Sequence, residues 1–213
     1  QEDGKRGLPE DVDVPFGPSL FMEWAVGKAG QIFRPDTGKL MMPGSQIMWE
    51  MHLHANGERV PQAQVELGVW FHDEPPEHRT ILSMFDAQGP HSLDIPPNEI
   101  AVTQGTFVLS APARIENFQP HMHMRGKAMS MEAIYPNGER EMLSFVDNFQ
   151  WNWQINYVYE EEAAPIVPKG TMIVTTAWHD NTAQNPYNPD PNQWVGWGDR
   201  TVDEMAHNWV DVT

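Results

Sequence analysis

The sequence contains no cysteine. That excludes disulfides, thiolate zinc sites, iron–sulfur clusters and thiol nucleophiles, and it leaves the redox compartment open. Positive charge is scarce. Thirteen Lys and Arg stand against 30 Asp and Glu in 213 residues, a formal net charge of −17. Such a surface repels phosphate backbones and anionic lipid, so no nucleic acid partner is expected, while metal cations remain compatible. No apolar run reaches the roughly 18 residues of a membrane span. Amphipathic helices of useful length are missing too, as are a Gly-x-Ser-x-Gly elbow, a P-loop and a dinucleotide fingerprint.

What is present points to strands. Nineteen prolines and 16 glycines suit many short connections, and 40% hydrophobic content with nine tryptophans is enough for one or two packed domains. Residues 1–18 are charged and rich in Pro and Gly, and are expected to form an extended arm. "SQIMWEMHLH" (45–54) alternates, with Ile47, Trp49, Met51 and Leu53 on one side and Met48, Glu50, His52 and His54 on the other. "QVELGVWFH" (64–72) is a second run. The character changes over residues 78–95, where a domain boundary is expected. Beyond it come "TILSMF", "GTFVLSAPARIENFQPHMHM", a hairpin in "AMSMEAIYPNGEREMLSFV" turned at Asn137-Gly138, then "NWQINYVY", "TMIVTTAWHD", a long Asn- and Pro-rich loop, and a closing strand in "DEMAHNWVDV". The expected fold is all-β, with antiparallel β-sandwiches of jelly-roll type. Residues 19–85 form part of an N-terminal domain and residues 86–213 a complete C-terminal one.

Two His-x-His pairs stand out, His52/His54 and His121/His123. In a strand, residues two apart face the same way with Cα atoms roughly 6.5–7 Å apart, so two imidazoles can converge on one ion. Either pair can equally be two histidines on a polar sheet face. Near the second pair, His179 ends a strand, and Met205 lies in the polar stretch "DRTVDEMAHNW". Imidazole with thioether suits copper, above all Cu(I), better than zinc or a hard cation. His179 is a further candidate near the pair, as a group that orients a ligand or replaces one. His72, His78 and His91 are expected to be exposed.

"PHMHMRGKAM", "AWHDNTAQNPYNPDP" and "WGDRTVDEM", in that order, resemble the C-terminal catalytic domain of the copper type II, ascorbate-dependent monooxygenases. This is the family of peptidylglycine α-hydroxylating monooxygenase and dopamine β-monooxygenase, here in its bacterial branch. The resemblance implies two β-sandwich domains with one copper each. It implies that His121, His123 and Met205 hold the copper that activates O2 and hydroxylates a C–H bond of a small organic substrate. An external reductant such as ascorbate or a redox domain would supply electrons. "EWAVGKAGQIF…MPGSQIMWEMHLHANGE" resembles the end of the N-terminal domain, which implies that His52, or the adjacent His54, is a ligand of the electron-transfer copper. That copper's other ligands form a His-His pair in the family. This chain has no adjacent histidines, so they are expected from an upstream segment or a second chain. Gln119 occupies the place where the peptide-hydroxylating member grips its substrate with arginine. With Tyr187 and Trp194 it is a candidate wall of the substrate cleft. A first residue Gln1 fits a removed signal peptide or another cut, and a periplasmic or extracellular location is expected. The other expectation is a secreted copper-binding or structural module without turnover.

Overall fold

The computed structural model describes residues 19–53, 57–62, 64–88 and 92–213. Among these the chain is all-β and holds no helix. The strands are β1 (Ser19–Leu20), β2 (Thr37–Gly38), β3 (His78–Arg79), β4 (Ile81–Asp86), β5 (Asp94–Ile95), β6 (Ile100–Val108), β7 (Ala113–Arg114), β8 (Asn117–His121), β9 (Gly126–Ile134), β10 (Arg140–Val146), β11 (Tyr157–Val158), β12 (Ile166–Val167), β13 (Met172–Asp180), β14 (Val195–Gly196) and β15 (His207–Val212). Two antiparallel sheets carry the fold, in the orders β1-β4-β15-β8-β11 and β10-β9-β13-β6.

The sheets pack face to face. Alternate residues of each long strand supply the interior: Ile81 and Phe85 from β4, Phe118 from β8, Met129, Met131 and Ala133 from β9, Ile173 and Ala177 from β13, Val210 and Val212 from β15. This is the strand period of two, and each large apolar side chain so buried contributes roughly 1.5–3 kcal/mol. β4, the first long strand of the five-stranded sheet, starts at Ile81 and pairs with β1. The 128–146 hairpin also forms. Gly138 N–H donates to the Tyr135 carbonyl at 2.8 Å and Gly138 takes φ of 87°, a type I turn closed by a left-handed glycine, with Asn137 staying at negative φ.

The same alternation sends Gln119 and His121 of β8, and His207, Trp209 and Asp211 of β15, to the outer face of the five-stranded sheet. His207 pairs with His121, and Trp209 with Gln119. Residues 20–39 lie over this polar stripe. Gln119 Nε2 donates to Glu23 Oε1 at 2.7 Å, Lys39 Nζ stands 3.0 Å from Asp211 Oδ1, and Gln31 donates to Asp211. Glu23 in turn pairs with Lys28 at 3.0 Å. Lys28 and Lys39 are thus each buried against a carboxylate.

Two predicted strands do not form. Residues 45–53 and 64–72 have the right alternation but no strand partner among the described residues. Extended backbone becomes a strand only when a neighbour takes its amides and carbonyls. Without one, apolar side chains stay in solvent: Met48 is 95% and Trp70 90% exposed. "NWQINYVY" likewise contracts to the two residues of β11, Tyr157–Val158. The arm at 1–18 lies outside the described residues.

Candidate metal centre

β8 ends at His121, and the chain then turns tightly through Met122–Arg125 into β9. Met122 keeps the inward direction and is fully buried in the core. His123 keeps the outward direction of His121. Gly126 makes the turn feasible: a Cβ there would lie 2.6 Å from the Met122 Cβ and 2.8 Å from the Phe149 ring. The turn is held from beneath by Glu204, whose two carboxylate oxygens accept the backbone N–H of His123 at 2.8 Å and of Arg125 at 2.6 Å. Glu204 is fully buried, and that burial pushes its carboxyl up to about 8 against the pull of the two amides and of Arg125. The Arg125 guanidinium is buried beside it, its Nε donating to Asn181 Oδ1 at 2.8 Å and its Nη1 to the Val202 carbonyl at 2.9 Å. Asn185 Nδ2 donates to the Met124 carbonyl at 3.1 Å, which ties the 181–199 loop to the same turn.

The two imidazoles of the pair are each anchored through Nδ1. His121 Nδ1 lies 2.6 Å from Gln154 Oε1. The Gln154 amide nitrogen donates to the Met122 and Trp151 carbonyls, so its oxygen faces His121 and Nδ1 must be the donor. His123 Nδ1 lies 3.0 Å from the Asp203 carbonyl, again an acceptor. In both rings the lone pair therefore sits on Nε2. The ring centres are 5.5 Å apart at an interplanar angle of 80°. An ion about 2.0–2.1 Å from each Nε2 places two ring centres roughly 5–6 Å apart, so the pair has the spacing of a bidentate site. Both rings are neutral at physiological pH. Burial, and then the neighbouring His123, lowers His121 to about 4, and burial lowers His123 against the pull of the Asp203 and Arg200 carbonyls.

Met205 follows Glu204 directly. It lies two residues before β15, whose first residue, His207, pairs with His121. Met205 is buried, yet it stands outside the hydrophobic core that takes Met122, Met129 and Met131. His179, on the inner face of β13 beside a register shift, is fully buried and donates from Nε2 to the Met205 carbonyl at 3.1 Å. It thus braces the Met205 backbone, with Nε2 committed to that carbonyl. Burial lowers its imidazole to about 4.

The remaining predicted residues separate. His52 is exposed and bonds Glu50 through Nε2 at 3.0 Å, and one ligand atom each of Glu50, His52 and Asp199 lie within 4.8 Å of one another. His52 is close enough for its charge to depress both His121 and His123. His54 and His91 lie outside the described residues. Gln119 is fully buried under Glu23 and walls no open cleft. Tyr187 stacks edge-on to Trp151 at 6.1 Å. Trp194 lines a cavity of about 430 Å³ with Arg125, Asp190, Arg200 and Asp203.

Sequence reasoning missed Gln154, Glu204 and His207. Gln154 and Glu204 act on the pair across long separations and carry no local signal. His207 had one: it alternates with Met205, as His123 does with His121. Its ring stacks on His121 with centres 4.7 Å apart. His121 and His123 offer two imidazole nitrogens, while Glu50, His52 and Asp199 offer one nitrogen and two carboxylates, a harder set. Compared with known proteins, the chain matches no family model and no curated protein.

Proposed function

We propose that this chain carries the copper centre of a monooxygenase, with His121 and His123 as imidazole ligands and Met205 as the thioether. Bound copper would supply O2 activation, and the reaction would hydroxylate a C–H bond of a small organic molecule at the expense of an external reductant such as ascorbate or a redox domain. The observation that carries this reading is the anchored pair, two imidazoles at 5.5 Å with Nδ1 of each donating to a fixed acceptor. Hydrogen bonds of this kind set ligand tautomer and aim in metal sites. The surrounding residues exclude water from beneath: Glu204 and Arg125 hold the turn and Gln119 and Glu23 fill the stripe beside it. A periplasmic or extracellular location, and an upstream segment or second chain completing a second copper site around His52, belong to the same proposal.

Copper titration of the apo-protein with EPR, on the wild type and the His121→Ala/His123→Ala variant, tests the site. Loss of the copper signal in the variant supports it, and equal binding removes it. A second reading, a copper-binding module without turnover, is favoured by His52, whose described neighbours Glu50 and Asp199 are carboxylates rather than histidines. Ascorbate-dependent O2 consumption coupled to product separates the two. Tight copper binding without coupled turnover, with the upstream segment supplied, selects the second.

A further inference from the structure

We propose that His207 is a positioning residue that fixes the plane of the His121 ring. The hydrogen bond from His121 Nδ1 to Gln154 holds one atom of the ring. The chain fixes the ring at Cγ, but a hydrogen bond is soft in direction, so rocking about the Cβ–Cγ bond still swings Nε2. A second contact on the ring face narrows that swing. His207 lies directly across the ladder from His121, and the two rings face one another with centres 4.7 Å apart and planes 23° apart. Trp209, the next residue on that face, meets the other side of His207 edge-on at 4.7 Å and 75°. Three rings therefore stand in a row, with His121 at the end next to His123.

The His207 nitrogen explains why stacking is the role. Its Nε2 is buried with no hydrogen-bonding partner, so no polar tether at that atom holds the ring. Stacked, nearly parallel rings also present their in-plane lone pairs side by side rather than toward a common point, which sets His207 apart from the ligands. Outer groups that orient a ligand commonly change metal affinity about 10–100-fold when removed. The inference rests on the copper reading for its metal readout alone.

The test uses the full chain with His207→Phe, which keeps a stacking ring without nitrogens, and His207→Ala and His207→Leu, which remove the ring. In the apo-protein, nitrogen-edited NMR of the His121 imidazole is expected to show one sharp Nδ1–H tautomer in the wild type and His207→Phe. Broadened or mixed tautomers are expected in His207→Leu and His207→Ala. Cu(I) affinity by chelator competition is expected to fall about 10-fold in the variants without a ring and to stay near wild type in His207→Phe. A His207→Leu protein with wild-type His121 resonances and affinity overturns the proposal. So does a His207→Phe protein as impaired as His207→Leu, because the nitrogen would then be the working part. His207→Leu fills the space of the ring and keeps the test decisive where His207→Ala unfolds. A wild type that binds no copper would remove the copper reading, while the NMR comparison would still decide the role of His207.

Discussion

Replacing Glu204 by alanine tests whether the turn after β8 is held by one buried carboxyl group. The side chain is fully buried and accepts the amides of His123 and Arg125 at 2.8 Å and 2.6 Å. Its removal leaves two buried donors without acceptors, each costing about 1–3 kcal/mol. Removing the carboxyl also relieves the burial of a group whose ionisation is already pushed up to about 8, which offsets part of that loss. The net expectation is a destabilisation of about 2–4 kcal/mol, or very roughly 4–16 °C in Tm at 2–4 °C per kcal/mol. The loss should be local in origin. Hydrogen exchange at the His123 and Arg125 amides should accelerate beyond the global change, and copper affinity should fall with it. Glu204→Gln keeps one acceptor and turns an N–H toward the other amide, so it should lie between wild type and alanine. Urea unfolding and amide exchange are the assays. A Glu204→Ala protein within about 0.5 kcal/mol of wild type, the range of neutral surface changes, with both amides still protected, would refute the reasoning.

Gly126→Ala should cost about 1–3 kcal/mol by overpacking, because its Cβ would stand 2.6 Å from the Met122 Cβ and 2.8 Å from the Phe149 ring; a urea midpoint equal to wild type would count against the tight turn. Asp86 is raised from 3.8 to about 6 by burial, so between those values the folded chain binds the extra proton and stability falls as pH rises. The full displacement is worth roughly 3 kcal/mol and partial exposure reduces it to about 1 kcal/mol. Asp86→Asn should therefore be the more stable protein at pH 7 and lose that advantage near pH 4, as read from urea curves at both values. The His121→Ala/His123→Ala variant should lose its copper EPR signal while retaining the β-rich circular dichroism of the wild type.

Much of the sandwich was legible because its strands carry their own period. Met129, Met131 and Ala133 alternate inward along β9, and Asn137-Gly138 marks the turn to β10. The His-x-His pair was legible for the same reason, since a period of two puts His121 and His123 on one side. Alternation alone overreached at 45–53 and 64–72, where the pattern exists but the partner does not. Gln154, Glu204 and His207 were hidden for the converse reason. Their relation to the pair depends on which strand lies beside β8 and in what register, and nothing local to any one segment states that β15 is inserted between β4 and β8. Gln119 shows the same gap. Its parity with His121 was readable, but the Glu23 that covers it comes from 96 residues away.

The pairing of His207 with His121 has a consequence for sheet assembly. Were β15 to slip by one position, Ala206 and Asn208 would face outward, Met205 and His207 would turn into the sandwich, and Val210 and Val212 would leave it. In the proposed copper site, native alignment of this strand and completion of the ligand set by Met205 are therefore the same event. An ion held by these side chains would act as a proofreader of strand alignment, binding only the correctly threaded sheet.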